Sequence, residues 1–553
     1  MANQTRKINT CDIELFLSEM WISKPVEKIL KFGNNWFKVF YENGKHMSYP
    51  SSEVVITKRM ETLRNALEYL NRVVNQLEAQ SKSTVLSFQL KNMQLAKGCA
   101  LIKFLQKSKI ENTLNESGIV FPFGSNYSQM EAVKLAFTSD LSVIQGPPGT
   151  GKTQTILNIL ANALLLGKTV AVTSGNNEAT NNVAKKMLDE GLSFLTAFLG
   201  NSKNTEKFFK ERPLIPHKVK EWKGLSKTNW ADLNAKTKMI KDVLLFQLEL
   251  PKIEKQIAEL QIEKDFCNKK YQDKGIKLRR SAKKTVKKCT TSKEALRVSA
   301  ILETASQKTK IGLFTKLSFR FKHGVKLTKR LGDTIDCLQN KYYDLKLAEL
   351  KAELKEKEEI VKSFGTELLK NEIAELGKKA LFKSIGEKYS SDNQDDLKID
   401  EENYRNNMLD FTKRYPIVFS TTNALQKCTG KGFLYDYLII DESSQVNIVT
   451  ACIALACAKN VVLVGDKMQL PHIVKSRDKE ILEKIFAEYT LPGEMEYSKY
   501  SILDAVTKMY DKSGLPSTLL NEHYQCDPHI IGFCNKRFYG DSLIVQTLHK
   551  VML

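Results

Sequence analysis

The 553-residue sequence has few turn-forming residues, no cysteine pair of a zinc site and no long uncharged apolar run. Its 13 prolines and 27 glycines are few for this length, which predicts many helices and short loops. The ten cysteines include no Cys-x-x-Cys pair, and no histidine lies at a metal-ligand spacing from Cys452 and Cys457, so a zinc site is not expected. Because a basic-then-apolar leader is also missing, we expect a cytoplasmic protein without a membrane span.

Positive charge is abundant and concentrated. The formal net charge is +22, and residues 271–330 hold 18 basic and 3 acidic side chains. This segment alone carries +15, which leaves +7 for the other 493 residues. A local excess of this kind indicates a contact with a polyanion.

A phosphate-binding pattern begins at residue 146. It consists of Gly146, Pro147, Pro148, Gly149, Thr150, Gly151, Lys152 and Thr153. An apolar strand-like run precedes it at 141–145 and a helix-like run follows at 154–166, which a chance loop with a stray lysine does not explain. Backbone N–H groups of such a loop face phosphate oxygens, Lys152 reaches the β and γ phosphates, and the Thr153 hydroxyl ligates Mg²⁺. The pattern therefore predicts binding of ATP or GTP.

Five short apolar runs rich in β-branched residues indicate a parallel sheet that is covered on both faces. They occupy residues 141–145, 169–173, 417–420, 437–440 and 461–464. Helix-like segments separate them, so the predicted fold class is a doubly wound α/β domain.

Two further regions flank or interrupt this domain. Near the N-terminus, residues 36–49 predict a β-hairpin that turns at Asn43-Gly44, and residues 57–105 have the period of helices. Residues 228–381 contain a single proline, Pro251, and alternate in charge, which predicts a helical, coiled-coil-like insert. The basic excess would lie at its tip.

The tip combines lysines with aromatic residues. The lysines expected to contact phosphates are Lys283, Lys284, Lys287 and Lys288, and the aromatic residues are Phe314, Phe319 and Phe321. The phenylalanines stack on bases in one interpretation and pack the helical turn in the other.

An apolar strand ends in two acids, Asp441 and Glu442. In P-loop enzymes a carboxylate at this position ligates Mg²⁺, here Asp441, and its neighbour polarises the attacking water, here Glu442. The next strand ends in Gly465-Asp466-Lys467-Met468-Gln469-Leu470-Pro471, where Gln469 is placed to hydrogen-bond the γ-phosphate or its water.

These blocks resemble the superfamily 1 helicases of the 5′-to-3′ branch, which includes the nonsense-mediated-decay RNA helicase and the replication helicase-nucleases. The chain also resembles bacterial AAA-type helicase-like proteins with a long helical insert. The resemblance covers roughly residues 121–199 and 415–543 and implies a RecA-like fold, ATP and Mg²⁺ as ligands, and single-stranded DNA or RNA as partner.

The resemblance also implies roles for short polar motifs. Asn126 and Gln129 correspond to the adenine-reading motif, and Tyr524 corresponds to the residue that stacks on adenine. The residues implied to contact the nucleic-acid backbone are Ser174, Asn176, Asn177, Thr421 and Thr422. Without the family, each of these runs is a polar loop after a strand.

The sequence departs from the family at Gln525, where an arginine is usual. An arginine that acts on the γ-phosphate is worth roughly 10³ to 10⁵ in rate, and glutamine lacks its charge. The chain also ends about 25 residues after the segment 521–528, which contains Gln525. We therefore expect an incomplete second RecA-like domain, a chain that is not a self-sufficient motor, and possible completion by another chain.

The predicted order of domains follows from these motifs. It is a β-rich module at 1–57, a helical segment at 58–120, the first RecA-like domain at 121–205 and 401–515, the insert at 206–400, and the start of a second RecA-like domain at 516–553.

Two alternatives remain open at this level. One is a degenerate ATP-binding tether or regulator that does not hydrolyse ATP. The other is a coiled-coil structural ATPase, which requires a Leu-Ser-Gly-Gly-like signature that is absent from residues 401–436.

Overall fold

The computed structural model describes residues 5–8, 13–17, 20–21, 26–32, 35–58, 61–81, 84–93, 95–110, 118–273, 283, 286–306, 331–390 and 399–546. The chain divides into two compact units, one formed by 1–235 with 371–553 and the other by 236–370. Within the described residues, no helix is both long and apolar enough to span a membrane.

Short antiparallel strands form the N-terminal module. They are β1 (Thr5–Ile8), β2 (Ile13–Leu17), β3 (Met20–Trp21), β4 (Val26–Phe32), β5 (Trp36–Tyr41), β6 (His46–Pro50) and β7 (Val54–Lys58). In the described part, one sheet has the order β1-β4-β5-β6 and another has the order β3-β2-β7. The predicted hairpin is confirmed, because β5 pairs with β6 and Gly44 adopts a φ of +77° in the turn.

Helices follow this module. They are α1 (Glu61–Ser81), α2 (Val85–Lys91) and α3 (Ala100–Leu105). One face of α1 is apolar, and its residues Leu63, Leu70 and Val74 are fully buried in the main core. The helical period was expected to run from 57 to 105, but residue 57 belongs to β7 and the helices are separate.

The first half of the α/β sheet comes next. Its elements are α4 (Tyr127–Thr138), β8 (Leu141–Gln145), α5 (Lys152–Leu165), β9 (Val170–Ser174), α6 (Asn177–Asp189), β10 (Thr196–Phe198), α7 (Ser202–Lys210) and α8 (Lys218–Lys223).

Long helices occupy the middle of the chain. They are α9 (Trp230–Asp273), α10 (Ser292–Ser306), α11 (Leu331–Ser363) and α12 (Thr366–Tyr389). Within the unit 236–370, Lys357 of α11 lies 2.6 Å from Glu249 of α9, and Asp344 of α11 lies 2.7 Å from Lys264. Residue numbers rise along one helix as they fall along the other, so α9 and α11 run antiparallel. The predicted helices are confirmed, while coiled-coil packing stays a prediction.

The remaining elements complete the sheet and extend beyond it. They are α13 (Met408–Arg414), β11 (Ile417–Thr421), α14 (Leu425–Cys428), β12 (Tyr435–Asp441), α15 (Ile448–Leu455), β13 (Ala458–Gly465), α16 (Ser476–Ala487), α17 (Ile502–Met509), β14 (Ser517–Leu519), β15 (Glu522–His523), α18 (Pro528–Phe538) and β16 (Ile544–Val545).

The described strands form a seven-stranded parallel sheet in the order β10-β11-β9-β12-β13-β8-β14, which confirms the α/β fold class. The five predicted runs are all strands. The three-residue edge strands β10 and β14 were not predicted. Because β14 pairs with β8, this sheet extends to residue 519, beyond the boundary expected at 516. After it, β15 and β16 pair in parallel across α18.

Two buried asparagines of α5 hold the chain segment that enters the α/β domain. The Asn162 side chain exchanges two hydrogen bonds of 2.8 Å with the backbone N–H and C=O of Val120. One turn earlier, Asn158 accepts from the Phe123 N–H and donates to the Gly124 carbonyl. Since Asn126 caps α4 two residues after Gly124, these amides set the position of the predicted adenine-reading motif relative to the P-loop helix.

Replacing Asn162 by alanine should lower the free energy of unfolding by about 2–4 kcal/mol, because the buried N–H and C=O of Val120 would lose their hydrogen-bond partners. Urea denaturation followed by circular dichroism measures the change. Asn92→Ala is the matched control, since Asn92 makes an exposed bond to the Phe88 carbonyl and its loss should cost under about 0.5 kcal/mol. Equal effects of both substitutions would contradict the conclusion that the buried hydrogen bonds of Asn162 stabilise the fold.

Candidate nucleotide-binding site

The P-loop, residues 146–153, connects β8 to the N-terminus of α5. Gly149 and Gly151 have φ angles of +85° and +84°, a backbone region that residues other than glycine rarely adopt. A Cβ atom at Gly151 would collide with the Gln129 side chain, and one at Gly149 would lie 2.9 Å from Cβ of Gln525. The backbone conformation and the close packing both require glycine here.

Lys152 turns back onto its own loop. Its Nζ donates to the Gly146 carbonyl at 2.9 Å and lies 3.9 Å from Oε1 of Glu442. The lysine thus links the P-loop to the end of β12. A phosphate with several negative oxygens would be a stronger partner for this ammonium than a neutral carbonyl.

The acid pair follows the buried strand β12. Asp441 is almost fully buried, and burial together with the charge of Glu442 raises its pKa from 3.8 to about 6. Glu442 has a φ of +49°, uncommon for a residue other than glycine, and its N–H donates to Asp441 Oδ1 at 2.9 Å. Oε2 of Glu442 is buried and makes no hydrogen bond within the described part of the chain.

These features fit a Mg²⁺-bound nucleotide. A buried carboxylate with a raised pKa and a buried oxygen without a donor mark a site short of positive charge. Thr153 lies half-buried in the first turn of α5, where its hydroxyl can serve as the predicted second Mg²⁺ ligand beside Asp441.

The predicted adenine-reading motif forms the N-terminus of α4. Asn126 and Gln129 make a reciprocal capping box, with Gln129 N–H donating to Asn126 Oδ1 at 2.9 Å and Asn126 N–H donating to Gln129 Oε1 at 3.1 Å. Nε2 of Gln129 donates to the Thr150 carbonyl at 3.1 Å. The motif is therefore bonded directly to the P-loop, and one amide hydrogen of Gln129 is left over for a base.

The segment that carries Tyr524 lies on the P-loop. The Tyr524 N–H donates to the Gly149 carbonyl at 3.1 Å, and its hydroxyl donates to Glu522 at 2.8 Å and accepts from Asn126 at 3.3 Å. The Gln525 side chain is exposed and adjacent to Gly149. Tyr524 thus contacts both the predicted adenine-reading motif and the P-loop, whereas Gln525 lies against the P-loop, and their roles toward the nucleotide stay predictions.

Gln469 lies in the loop after β13, and two hydrogen bonds of Asp466 hold this loop. Asp466 is buried, and its Oδ1 accepts from the Met468 N–H at 3.0 Å. Its Oδ2 accepts from the hydroxyl of Tyr539 at 2.7 Å. Tyr539 directly follows α18, so the loop that carries Gln469 is tied to the segment beyond the sheet.

The predicted nucleic-acid residues after β9 and β11 differ in accessibility. Ser174 pairs in register with both Thr421 and Asp441, so these residues share one edge of the sheet. Asn176 and Asn177 are exposed at the start of α6, and Thr421 is half-buried.

Two of the predicted contacts are closed to solvent in this conformation. Ser174 and Thr422 are buried, and the Thr422 N–H donates to the Ser174 carbonyl at 3.0 Å. This backbone bond joins the ends of β9 and β11, and the contact of both residues with nucleic acid stays a prediction. In the helical insert, Lys283, Lys287 and Lys288 are exposed. Lys284, Phe314, Phe319 and Phe321 lie outside the described residues.

Two residues of the site received no role from the sequence. His523 is fully buried in β15, and its Nε2 would lie 3.0 Å from a Cβ placed on Gly149. Burial lowers the pKa of His523, and the contact of its ring with the backbone of Pro148 opposes that shift. Tyr539 is the other, because no motif announces its bond to Asp466. The capping box does have a signature, Asn-x-x-Gln.

The comparisons with known proteins agree with this geometry. Residues 124–477 match the family model described as "AAA domain". The chain belongs to this family. The match spans more than half of the chain and contains the P-loop, the acid pair and Gln469.

Two of the three similar proteins described next are helicases by name. A DNA polymerase alpha-associated DNA helicase A of Schizosaccharomyces pombe is 38% identical over 68 residues, 12% of this chain and 10% of that protein. Regulator of nonsense transcripts 1 of Caenorhabditis elegans is 47% identical over 70 residues, 12% and 6%. An uncharacterized ATP-dependent helicase of Mycoplasma genitalium is 29% identical over 136 residues, 24% and 12%.

The chain therefore covers about an eighth or less of the length of each of these relatives. Together with the family match, they assign it to the superfamily 1 helicases and confirm that part of the resemblance.

The acid pair predicts an unusual pH dependence of stability. Because the pKa of Asp441 is raised to about 6, the folded state favours the neutral carboxyl, and this contribution is lost as pH rises from about 4 to 6. Without Mg²⁺ or nucleotide, Asp441→Asn should stabilise the protein at pH 7.5 by about 1–3 kcal/mol and have less effect at pH 5. Thermal melting in EDTA at both pH values measures this.

Asp436 on the same strand gives a control of opposite sign. Burial opposes its charge, but hydrogen bonds from Thr169 and Lys459 outweigh burial and lower the pKa of Asp436. Asp436→Asn should therefore destabilise at pH 7.5. If both substitutions destabilise the protein at pH 7.5, the charged carboxylate of Asp441 does not lower the free energy of unfolding.

Proposed function

We propose that this chain binds Mg²⁺–ATP at the P-loop and hydrolyses ATP in response to single-stranded DNA or RNA. The observation that carries the proposal is the cluster of Lys152, Asp441 and Glu442. A P-loop lysine, a buried acid with a raised pKa and a second acid with an unpaired oxygen converge at the carboxyl end of the sheet.

Each part of the nucleotide has a matching group. The loop N–H groups and Lys152 bind the phosphates, and Thr153 and Asp441 hold Mg²⁺, which neutralises phosphate charge when bound. Asn126, Gln129 and Tyr524 receive the adenine. Their mutual hydrogen bonds, which also reach Thr150, support a single continuous pocket.

Glu442 and Gln469 serve the attacking water. Glu442 accepts its proton or orients it, a task that suits a carboxylate with one oxygen left unbonded. Gln469 lies on the loop after β13. Asp466, which accepts hydrogen bonds from the Met468 N–H and the Tyr539 hydroxyl, holds the start of this loop. Any shift of the segment 522–545 would therefore reach the loop that carries Gln469.

The nucleic acid binds next to this cluster. Asn176, Asn177 and Thr421 offer polar groups at the sheet edge shared with Asp441, and the bond between Thr422 and Ser174 joins their strands. The lysines near 283–288, among them Lys284, provide a second contact with phosphates. Such contacts should weaken as salt rises, by roughly 0.7 in the log–log slope for each phosphate neutralised on a single strand.

One observation favours a second candidate, an ATP-binding tether or regulator without turnover. Gln525, not arginine, lies beside Gly149, so the γ-phosphate would lack a charged partner from this segment. The intact acid pair favours hydrolysis. Turnover measurements separate the two.

ATP hydrolysis by the purified chain, with and without dT₂₀ or U₂₀, tests the main proposal. Turnover should rise with the oligonucleotide and vanish in Lys152→Ala. Glu442→Gln should lower kcat by about 10²- to 10⁴-fold while ATP binding persists, because proton transfer is lost but the phosphate cradle remains. Bound ATP with no turnover under any condition would favour the tether, and no ATP binding would refute both functions.

Gln525→Arg tests the position of this residue. If Gln525 faces the γ-phosphate, arginine supplies the missing charge and should raise kcat by about 10- to 1000-fold. Gln525→Lys is the control, since it adds the charge without the planar fork and should gain less. An arginine variant with unchanged kcat would place Gln525 away from the reacting phosphate.

A further inference from the structure

A groove of about 840 Å³ lies apart from the nucleotide cluster. Phe433 and Leu434, which line it, directly precede β12. Ala456 and Cys457, which also line it, directly precede β13. The nucleotide cluster lies at the other ends of these strands, about 20 Å away at about 3.3 Å per residue. Ligand sites have volumes of about 300–1,000 Å³, so this groove is a separate candidate for ligand binding.

Helix α2 supplies an apolar, exposed wall of the groove. Phe88 is 67% exposed, and Val85, one turn earlier, is 44% exposed. Phe433 and Leu434 are half-buried and line the same groove. Large apolar side chains that share one groove and remain open to solvent mark an interaction site rather than a folding requirement.

The walls of the groove are held in place. Nε2 of Gln89 donates to the Asn423 carbonyl at 2.7 Å, and Nε2 of Gln426 donates to the Gln89 carbonyl at 3.2 Å, so α2 is bonded to the segment around α14. A Cβ atom at Gly430 would collide with the carbonyl oxygen of Arg405, which shows how closely these two parts of the lining pack. The groove is therefore formed before any ligand arrives.

Positive charge surrounds the groove. Arg405, Lys427 and Lys431 line it with exposed side chains. Among the described residues of the lining, Glu402 is the only acidic one. Three cations against one carboxylate favour a ligand that carries negative charge, because complementary potentials steer and retain such a partner.

Gln89 adds a hydrogen-bond acceptor to this lining. Its side chain is 2% exposed, and its Oε1 has no hydrogen-bond partner within the described part of the chain. A buried acceptor without a donor is costly, so a ligand N–H that reaches it after a small rotation of the side chain would be stabilised. A peptide backbone carries such a donor at almost every residue, whereas a phosphodiester backbone offers only acceptors.

We propose that this groove binds an extended, acidic segment of a partner protein. A bulky apolar side chain of the segment packs between Phe88 and Phe433, and its carboxylates lie beside the three cations. A backbone N–H of the segment meets Gln89. This inference goes beyond the proposed function, since the groove needs neither ATP nor the nucleotide cluster. Single-stranded nucleic acid is the competing occupant.

Fluorescence anisotropy with a labelled peptide, (Asp-Glu)₂-Leu-Phe-(Asp-Glu)₂, tests the proposal on the full chain without nucleotide. Phe88→Ala should weaken binding by about 5- to 30-fold, because the apolar anchor loses its wall. Lys427→Glu/Lys431→Glu should weaken it by about 10- to 100-fold and reduce its dependence on salt. A peptide with Ala-Ala in place of Leu-Phe should bind weakly and respond little to Phe88→Ala.

Matched controls are needed because the chain carries a net charge of +22, which attracts acidic peptides to any basic surface. Lys475→Glu/Lys479→Glu makes the same charge change at the start of α16, and Leu188→Ala removes an apolar side chain of α6 that is 61% exposed. Both should leave the affinity unchanged. No binding of the peptide, or equal losses in groove variants and controls, would overturn the proposal.

A crosslink locates the peptide directly. With benzoylphenylalanine in place of its phenylalanine, irradiation should attach the peptide to residues 84–92 and 426–434, as identified by mass spectrometry of the digested chain. Attachment to the basic residues 271–330 instead would overturn the proposal. If dT₂₀ displaces the peptide and itself binds more weakly to Phe88→Ala, the groove belongs to nucleic acid.

The ATPase provides an independent measurement. Phe88 is not part of the nucleotide cluster, so Phe88→Ala should lose the peptide while its basal ATP turnover stays that of the unmodified chain. Peptide binding that persists in Lys152→Ala would support a site that does not depend on ATP. Peptide binding that disappears in Lys152→Ala would contradict it.

Discussion

Uncompensated charge at the end of a buried strand is the constraint on which this structure depends. Parallel pairing brings the ends of β8, β9, β12 and β13 to one edge, where Glu442, which follows Asp441, lies 3.9 Å from Lys152. A single lysine, which also bonds a carbonyl, cannot balance two carboxylates. Burial, together with the neighbouring charge of Glu442, raises the pKa of Asp441. A cation bound beside Asp441 and Glu442, next to the P-loop, would therefore be stabilised.

The segment after the sheet depends on the same edge. Tyr524 bonds to Gly149 and Asn126, and Tyr539 bonds to Asp466. Two kinds of contact, backbone to P-loop and hydroxyl to carboxylate, therefore connect residues 522–545 with both sides of the nucleotide cluster. A movement of this segment would therefore break contacts with the P-loop and with the loop that carries Gln469.

Much of the architecture could be predicted from local pattern. Five buried strands were recognisable because uninterrupted β-branched runs suit a sheet covered on both faces, and Asn43-Gly44 predicted a hairpin. The edge strands β10 and β14 escaped, because three residues are too few to establish a period. Ser174 and Thr422 illustrate another limit. Polar residues after strands resemble ligand contacts in sequence, yet these two are buried between strands.

The sequence by itself determined the P-loop, the acid pair and the alternation of strands and helices, because glycine conformation and apolar periodicity act over a few residues. Only the tertiary structure decided which of these elements meet. Asn126 and Tyr524 are 398 positions apart and share a hydrogen bond, and His523 lies against Gly149 without any motif to announce it. Likewise, the groove that Phe88 and Phe433 line is formed by segments that are distant in the sequence. Such contacts depend on packing between distant segments, which no local pattern encodes.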